Sequence, residues 1–510
     1  MTDQQLTRVF GIETEYGITV DNAADVDVVA ESIALVRSYT EHGASMKWNY
    51  GHEDPHRDAR GFRAKELLQD TDESAYFEID RNRPLTFEEI KSDLVLSNGA
   101  RFYNDHAHPE YSTPECTTIR EIVSHDKAGE RILAECARRR NAHLAENQRV
   151  RLYKNNTDFA GHSYGCHDNY LMRRDVPWDR IVIGMIPFLV TRQIFAGAGK
   201  LGIEAEGAAS HSAIYQISQR ADFFSVLVSI DTMNKRPLIN TRDEPHADPR
   251  KFRRFHVIIG DANMSEWATA MKIGTTALVV ELIERGEAPR IELAQPIEAL
   301  KAISRDPTRS WIVELADGRK ISAVDLQRLY LEAAARLGLD NEEYAWLLRE
   351  WEIALDDLAN DIDRTRDRVD WVAKKFLLEA LRDEEQLEWS DPWLQAIDLQ
   401  YHDADPESGL YYELERLGSM RRVVTDEEIS AAIFSPPETT RAFVRGRAVA
   451  RFHGRITGMQ WDEIVFQKEN RTSRVALHDP VLARDSASYI AIREAKNYEE
   501  FLQLISNPSS

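Results

Sequence analysis

The segment Phe10-Gly-Ile-Glu-Thr-Glu-Tyr-Gly-Ile-Thr-Val20 constrains this chain more than any other stretch. Read as a β-strand, its alternation sends Phe10, Ile12, Tyr16, Ile18 and Val20 to one face and Glu13 and Glu15 to the other. Such a strand has one face to bury and a second that carries two acids side by side. Neighbouring carboxylates repel, so a stable pair needs a positive group between them. Mg²⁺ meets that need, because it is a hard cation that takes oxygen ligands and bridges to phosphates. A half-exposed strand with two solvated glutamates satisfies the same pattern.

The remaining composition narrows the setting. A length of 510 residues corresponds to about three domains as a soft prior, although large α/β enzymes run longer as one unit. Cys116, Cys136 and Cys166 form an odd, sparse set without a CxxC pair, which suggests neither a disulfide framework nor a zinc site and fits a reducing cytoplasm. The opening Met1-Thr-Asp-Gln-Gln lacks the charged and apolar regions of a signal peptide. The longest apolar run, Ile181 to Val190, contains Gly184 and Pro187 and falls short of the about 18 residues a bilayer demands. A formal net charge of −22 argues against unspecific nucleic-acid binding and leaves room only for a local basic groove. The expectation is a soluble cytoplasmic protein with neither nucleic acid nor membrane as partner.

Along the chain, Val26 to Tyr39 reads as an amphipathic helix, followed by a polar, aromatic-containing excursion at 41–84 with little periodicity. From Asn98 to Asn263, strand-like runs (Val150 to Tyr153, Ile181 to Met185, Phe223 to Ile230, Val257 to Ile259) alternate with loops rich in His, Asn and Gly, where functional groups collect. From Leu326 to Arg382 the pattern is helical, with Leu347, Trp351, Leu355 and Leu358 three or four apart. Pro436-Pro437 marks a boundary, giving an expected catalytic domain at 1–430 and a small C-terminal domain at 431–510 that holds Trp461.

A second constellation runs from Asn98 to Glu115. If Arg101 to Asp105 is extended, Arg101, Tyr103 and Asp105 share a face, and Pro109 ends regular pairing and aims Glu110 from a turn. An arginine suits a phosphate, one acid can serve as base or nucleophile, and another can hold a metal. A polar loop with an ion pair is the plainer reading. His162 and His167 lie in a Gly-containing loop and are weak signals individually. In Arg253-Arg-Phe-His-Val257, alternation places Arg254 and His256 together, and Ser265 caps the helix that follows, with Glu266 in its first turn. There is no Walker loop, so a nucleotide would be held by side chains and metal rather than in a P-loop.

These residues together resemble the Pup ligase/deamidase family, whose members act on the prokaryotic ubiquitin-like protein Pup and share the glutamine-synthetase-like carboxylate-amine ligase fold. The motifs are Gly11-Ile-Glu-Thr-Glu-Tyr-Gly, Asn98-Gly-Ala-Arg, Asp105-His-Ala-His-Pro-Glu-Tyr-Ser, Tyr153-Lys-Asn-Asn, His167-Asp-Asn-Tyr-Leu-Met, Ile239-Asn-Thr-Arg-Asp-Glu-Pro-His-Ala-Asp248, His256-Val-Ile-Ile-Gly-Asp-Ala-Asn, Asp398-Leu-Gln-Tyr, Gly418-Ser-Met and Trp461-Asp. They cover nearly the whole chain. The 41–84 insert, with Trp48-Asn-Tyr50 and Arg57-Asp-Ala-Arg-Gly-Phe62, and an Asp105-to-Glu110 spacing one residue shorter than the ligase pattern resemble the deamidase branch.

The resemblance implies an α+β fold: a curved, mostly antiparallel sheet forming a cradle packed on helices, with a small C-terminal domain. It implies ATP, bound but not consumed stoichiometrically, and Mg²⁺. Glu13, Tyr103, Glu110, His167 and His256 look like metal ligands, with Glu15 a lesser candidate. Arg101, Thr113, Arg254 and Trp461 look like nucleotide contacts, Asp105 aligns with the catalytic aspartate, and Arg220 and Arg242 suit phosphate or a substrate carboxylate. The implied activity is deamidation of Pup's C-terminal glutamine and cleavage of the isopeptide bond in pupylated proteins. A Pup–protein ligase and a catalytically silent Pup-binding protein are the alternatives. Because Pup is acidic, Arg138 to Arg140 and Lys251 to Arg254 are candidate stretches of a basic groove, although such runs are more often solvated faces.

Overall fold

The computed structural model describes residues 8–23, 26–41, 43–45, 47–67, 83–204, 214–231, 235–469 and 471–506, so 68–82 of the expected insert lies outside the described residues. Nine strands form one sheet in the order Val226–Ser229, Pro237–Asn240, Phe252–Val257, Cys166–Arg173, Phe10–Glu15, His108–Ser112, Arg101–Asp105, Leu94–Leu96, Gly43–Ser45. All neighbours pair antiparallel except the first two. This is the large, mostly antiparallel sheet packed on helices that was expected. One face is apolar: Phe10, Ile12, Tyr170, Met172, Phe255 and Val257 join one hydrophobic cluster with residues of the helices Ile119–Asn141, Trp178–Ala196 and Glu266–Arg285. The opposite face is left to polar side chains, as the alternation in the opening strand requires.

Several local expectations are met. Val28–Arg37 is helical, and Ser265 Oγ accepts from Ala268 N–H at the head of Glu266–Arg285. Helices Ala323–Ala335, Glu342–Asn360 and Asp370–Glu385 occupy the predicted helical region.

Others are corrected. The opening strand ends at Glu15; Gly17–Val20 leaves the large sheet to pair with Val150–Tyr153. A side chain at Gly17 would sit 2.4 Å from Tyr164 Oη, so the glycine permits this departure. Ile181 to Met185 lies in the helix Trp178–Ala196 rather than a strand, because a short apolar run buried on all sides has no periodicity to separate the two forms. The third strand of the sheet stops at Val257, before Ile258 and Ile259. Pro109 does not end pairing but sits within His108–Ser112, opposite Asn104. Its missing N–H lies beyond Glu110, the last residue paired with the opening strand, and its carbonyl accepts from Tyr16 N–H.

The C-terminal residues build a second hydrophobic cluster, with Phe443, Ile464, Phe466, Tyr489 and Phe501 packed together with Trp48 and Val95 from the N-terminal part. The insert completes the sheet of this unit: Lys47–Trp48 pairs parallel with Ile456–Met459. Its next segment is anchored at the far edge of the nine-stranded sheet. Asp58 is bridged to Arg242 and its carboxylate accepts from Thr241 Oγ1 at 2.6 Å, while Trp178 Nε1–H donates to Ala59 O. The described part of the insert is therefore wired into both units.

Candidate active site

Register alone assembles the polar face. Glu13 stands opposite both Ser112 and His167, Glu15 opposite Glu110, and Glu110 opposite Tyr103, while Arg101 faces Ser112. His256 is opposite Asn169 and Arg254 opposite Leu171. Two groups of potential metal donors result. The donor atoms of Glu15, Asp105 and Glu110 lie within 4.8 Å of one another, and so do those of Glu13, His167 and His256.

The first group is all oxygen, and its carboxylates repel one another. Burial and the charges of Asp105, Glu13 and Glu15 push the Glu110 carboxyl well above its ordinary range, although Tyr103 Oη–H donates to its Oε1 at 2.8 Å. Asp105 moves the other way. Burial alone would raise it, but the Lys91 ammonium and His106 outweigh that and hold it well below the usual carboxylate range. Lys91 Nζ donates to Asp105 Oδ1 at 2.5 Å, and His106 Nδ1 lies 3.3 Å from the same oxygen. Three converging carboxylates form a site that an oxygen-seeking divalent cation would relieve, so the donor set fits Mg²⁺.

The second group has a different chemistry. Arg254 NH2 donates to His256 Nδ1 at 3.1 Å, which assigns the ring proton to Nε2, and Nε2 faces Glu13 Oε2 at 3.7 Å. His167 Nδ1 lies 3.5 Å from the same Glu13 oxygen. Burial raises the Glu13 carboxyl, and the hydrogen bond from His167 and the charge of Arg254 more than reverse it, so Glu13 is the anion of this group. His256 Nε2 is buried without a hydrogen-bond partner and lies beside the Glu13 carboxylate.

A pocket opens beside Glu13, lined by Phe10, Ile12, Thr113, His246, Arg254 and Trp461 among others. Thr113 Oγ1 accepts from Ile12 N–H, fixing that wall. Trp461 meets Trp48 edge to face at 5.4 Å. Arg101 is already engaged: its guanidinium bonds Asp93 and Tyr50 Oη and lies between the rings of Trp48 (4.0 Å) and Tyr103 (3.8 Å). Arg220 is fully buried, with its donors on Ile258 O, Gly260 O and Ser163 Oγ, and burial brings its guanidinium down to about 10. Arg242 Nε donates to Ile230 O.

Much of the charge in the basic runs is already paired or buried. Arg138 and Arg139 pair with Glu135, Arg139 also with Glu41, and Arg140 with Glu31. Arg253 is buried over the Trp178 ring.

Sequence reasoning missed Lys91, Asp93 and the Glu115 clasp, in which Arg441 and Arg445 both grip one carboxylate and Arg445 also lies over the Trp461 ring at 4.8 Å. Lone charged residues outside any motif carry no signal of partners hundreds of positions away.

Comparison with known proteins settles the lineage. The family model described as Pup-ligase protein matches residues 8–465. The chain belongs to this family. A depupylase from Acidothermus cellulolyticus is 47% identical over 93% of this chain and 94% of its own length. A Pup deamidase/depupylase from Mycobacterium tuberculosis is 42% identical over 90% of this chain and 91% of its own. The solved Pup ligase PafA in complex with ADP superposes with a TM-score of 0.72 at 34% identity, covering 88% of this chain and 96% of that one. Family membership and the superposition account for the shared fold.

Proposed function

We propose that this chain is a Pup deamidase and depupylase. It hydrolyses the side-chain amide of Pup's C-terminal glutamine and cuts the isopeptide bond between Pup's terminal glutamate and a lysine of a pupylated protein. Both bonds are γ-carboxamides of the same residue, so one site serves both. The observation that carries the reading is Asp105, an ionised carboxylate at the edge of the acidic cluster, held there by Lys91 within a chain whose full-length relatives are depupylases.

Nucleotide is assigned to the pocket between the opening strand and Trp461, with Arg254 and Thr113 in its wall and Arg101 behind Trp48. The ADP bound by the ligase relative supports nucleotide binding by this fold. Glu15 and Glu110, with Tyr103 bonded to Glu110, would hold Mg²⁺, and Glu13 stands at the border with His167 and His256 beside it. Bound Mg²⁺ supplies charge to offset the carboxylates and to bind phosphate. Asp105 either attacks the amide carbon or takes a proton from the attacking water, and both roles require the anion that Lys91 maintains. The cytoplasm is the assigned compartment: Cys116, Cys136 and Cys166 are all free and buried, and no helix among the described residues is long and apolar enough to cross a membrane.

The deciding experiment is intact-mass spectrometry of Pup ending in glutamine, incubated with the protein, Mg²⁺ and ATP. The terminal amide converts to acid with the wild type and stays intact with Asp105→Asn. No conversion, together with conjugate formation from Pup ending in glutamate and a lysine-bearing protein, would establish a ligase instead.

A further inference from the structure

We propose that Lys91 is the positioning residue for Asp105, keeping that carboxylate out of the metal cluster and presented for reaction. The inference rests on the assignment of Asp105 as the reacting acid.

Asp105 has two competing claims on it. Its carboxylate is one of three whose oxygens converge within 4.8 Å, so a cation seated with Glu15 and Glu110 would draw in the third acid as well. An acid bound to the metal is fixed in its coordination and cannot turn toward the substrate. Lys91 supplies the opposing pull. Its ammonium binds Oδ1 at 2.5 Å and lies 5.6 Å from the centre of the Tyr103 ring. Both groups are largely sheltered, with side-chain exposures of 16% for Lys91 and 24% for Asp105, so water does little to screen the contact.

The lysine is itself held in place by the fold. It ends the short helix Phe87–Lys91, which Asn104 Nδ2–H clamps to the Asp105 strand through Ile90 O at 3.1 Å. Ser92 then takes a left-handed conformation (φ 50°), which turns the chain into Asp93, the partner of Arg101. From the insert side, Tyr50 packs on Phe87 edge to face at 5.0 Å and its hydroxyl donates to Asp93. Lys91 is thus delivered to Asp105 by a framework that begins in the insert, and the insert reaches the reacting carboxylate through one ammonium.

The test compares wild type with Lys91→Met and Lys91→Arg. Steady-state depupylation should show kcat lower by roughly tenfold to a hundredfold in Lys91→Met with KM for the Pup conjugate little changed, and partial recovery in Lys91→Arg. In an Asp105→Asn background, Lys91→Met should cause no further loss, because the lysine acts only through that carboxylate. An unchanged kcat, a rise confined to KM, or an additive loss in the double variant would overturn the proposal. A crystal structure of Lys91→Met with Mn²⁺ and nucleotide gives an answer that does not depend on turnover. Asp105 should be drawn onto the metal with Glu15 and Glu110, and a carboxylate that keeps its wild-type rotamer would sink the positioning role even if the wild type proved to be a ligase.

Discussion

At the scale of single residues, Glu115 shows how one carboxylate holds distant segments together. Burial raises its pKa, but Arg445 and Arg441 outweigh that and bring it to about 2, against an ordinary value of 4.5. A depressed folded-state pKa contributes stability that is present above the unfolded value and is lost as pH falls from about 4.5 through about 2. The shift corresponds to about 3 kcal/mol. Glu115→Gln should therefore lower stability near neutral pH by roughly that amount, and the gap from wild type should close as pH falls toward about 2. Thermal unfolding midpoints measured across that range check both sign and window. The same residue shows where sequence reading ran out: Glu115 belonged to a motif-rich stretch, yet its arginines lie 326 and 330 positions away. Glu13 was legible because its neighbours in sequence alternate with apolar residues, a local property, whereas Glu110 and Asp105 stood out by the motif they share.

Elements meet at places where the backbone has no room for a side chain. Gly99 adopts φ 81°, and a Cβ there would lie 2.9 Å from Ala442 O, at the head of the helix Ala442–Phe452. Gly99→Ala imposes both a left-handed conformation and a backbone collision, so it should cost upward of about 2 kcal/mol and loosen that helix. Hydrogen exchange localised to 442–452 would report it, whereas uniform exchange would show that the helix docks by other means. Strands and helices with clear periodicity were readable in advance, including Arg101–Asp105 and the helices between Ala323 and Glu385. The Ile181 run and Pro109 were misread for related reasons. Full burial removes the polar face that reveals a period, and proline's missing donor matters only on the side of a strand where a ladder bond is required.

Across the whole molecule, Trp48 is the junction. It lies in the insert, pairs with the C-terminal sheet, stacks on Arg101 and meets Trp461 at the pocket. Trp48→Ala should destabilise the protein by about 3–5 kcal/mol through the cavity it leaves. It should also weaken nucleotide binding, since the Trp461 wall loses its support. Calorimetric titration with ATP and Mg²⁺ would test the second effect, and unchanged affinity would show that Trp461 holds its position without the insert.

What the sequence determined by itself is the content of the site: an acid pair on an amphipathic strand, an Arg-Tyr-Asp face on a second extended segment, and a motif set specific enough to name a family. Those features depend on residues a few positions apart, where strand alternation sets geometry directly. Tertiary structure alone decided how the charges are used. Strand register brought Glu15, Glu110 and Asp105 into one cluster. Packing paired Arg101 with Asp93, buried Arg220 on main-chain carbonyls and set Lys91 against Asp105. A charge's role depends on its partners and its distance from water, and both are properties of the folded arrangement that no local stretch of sequence contains.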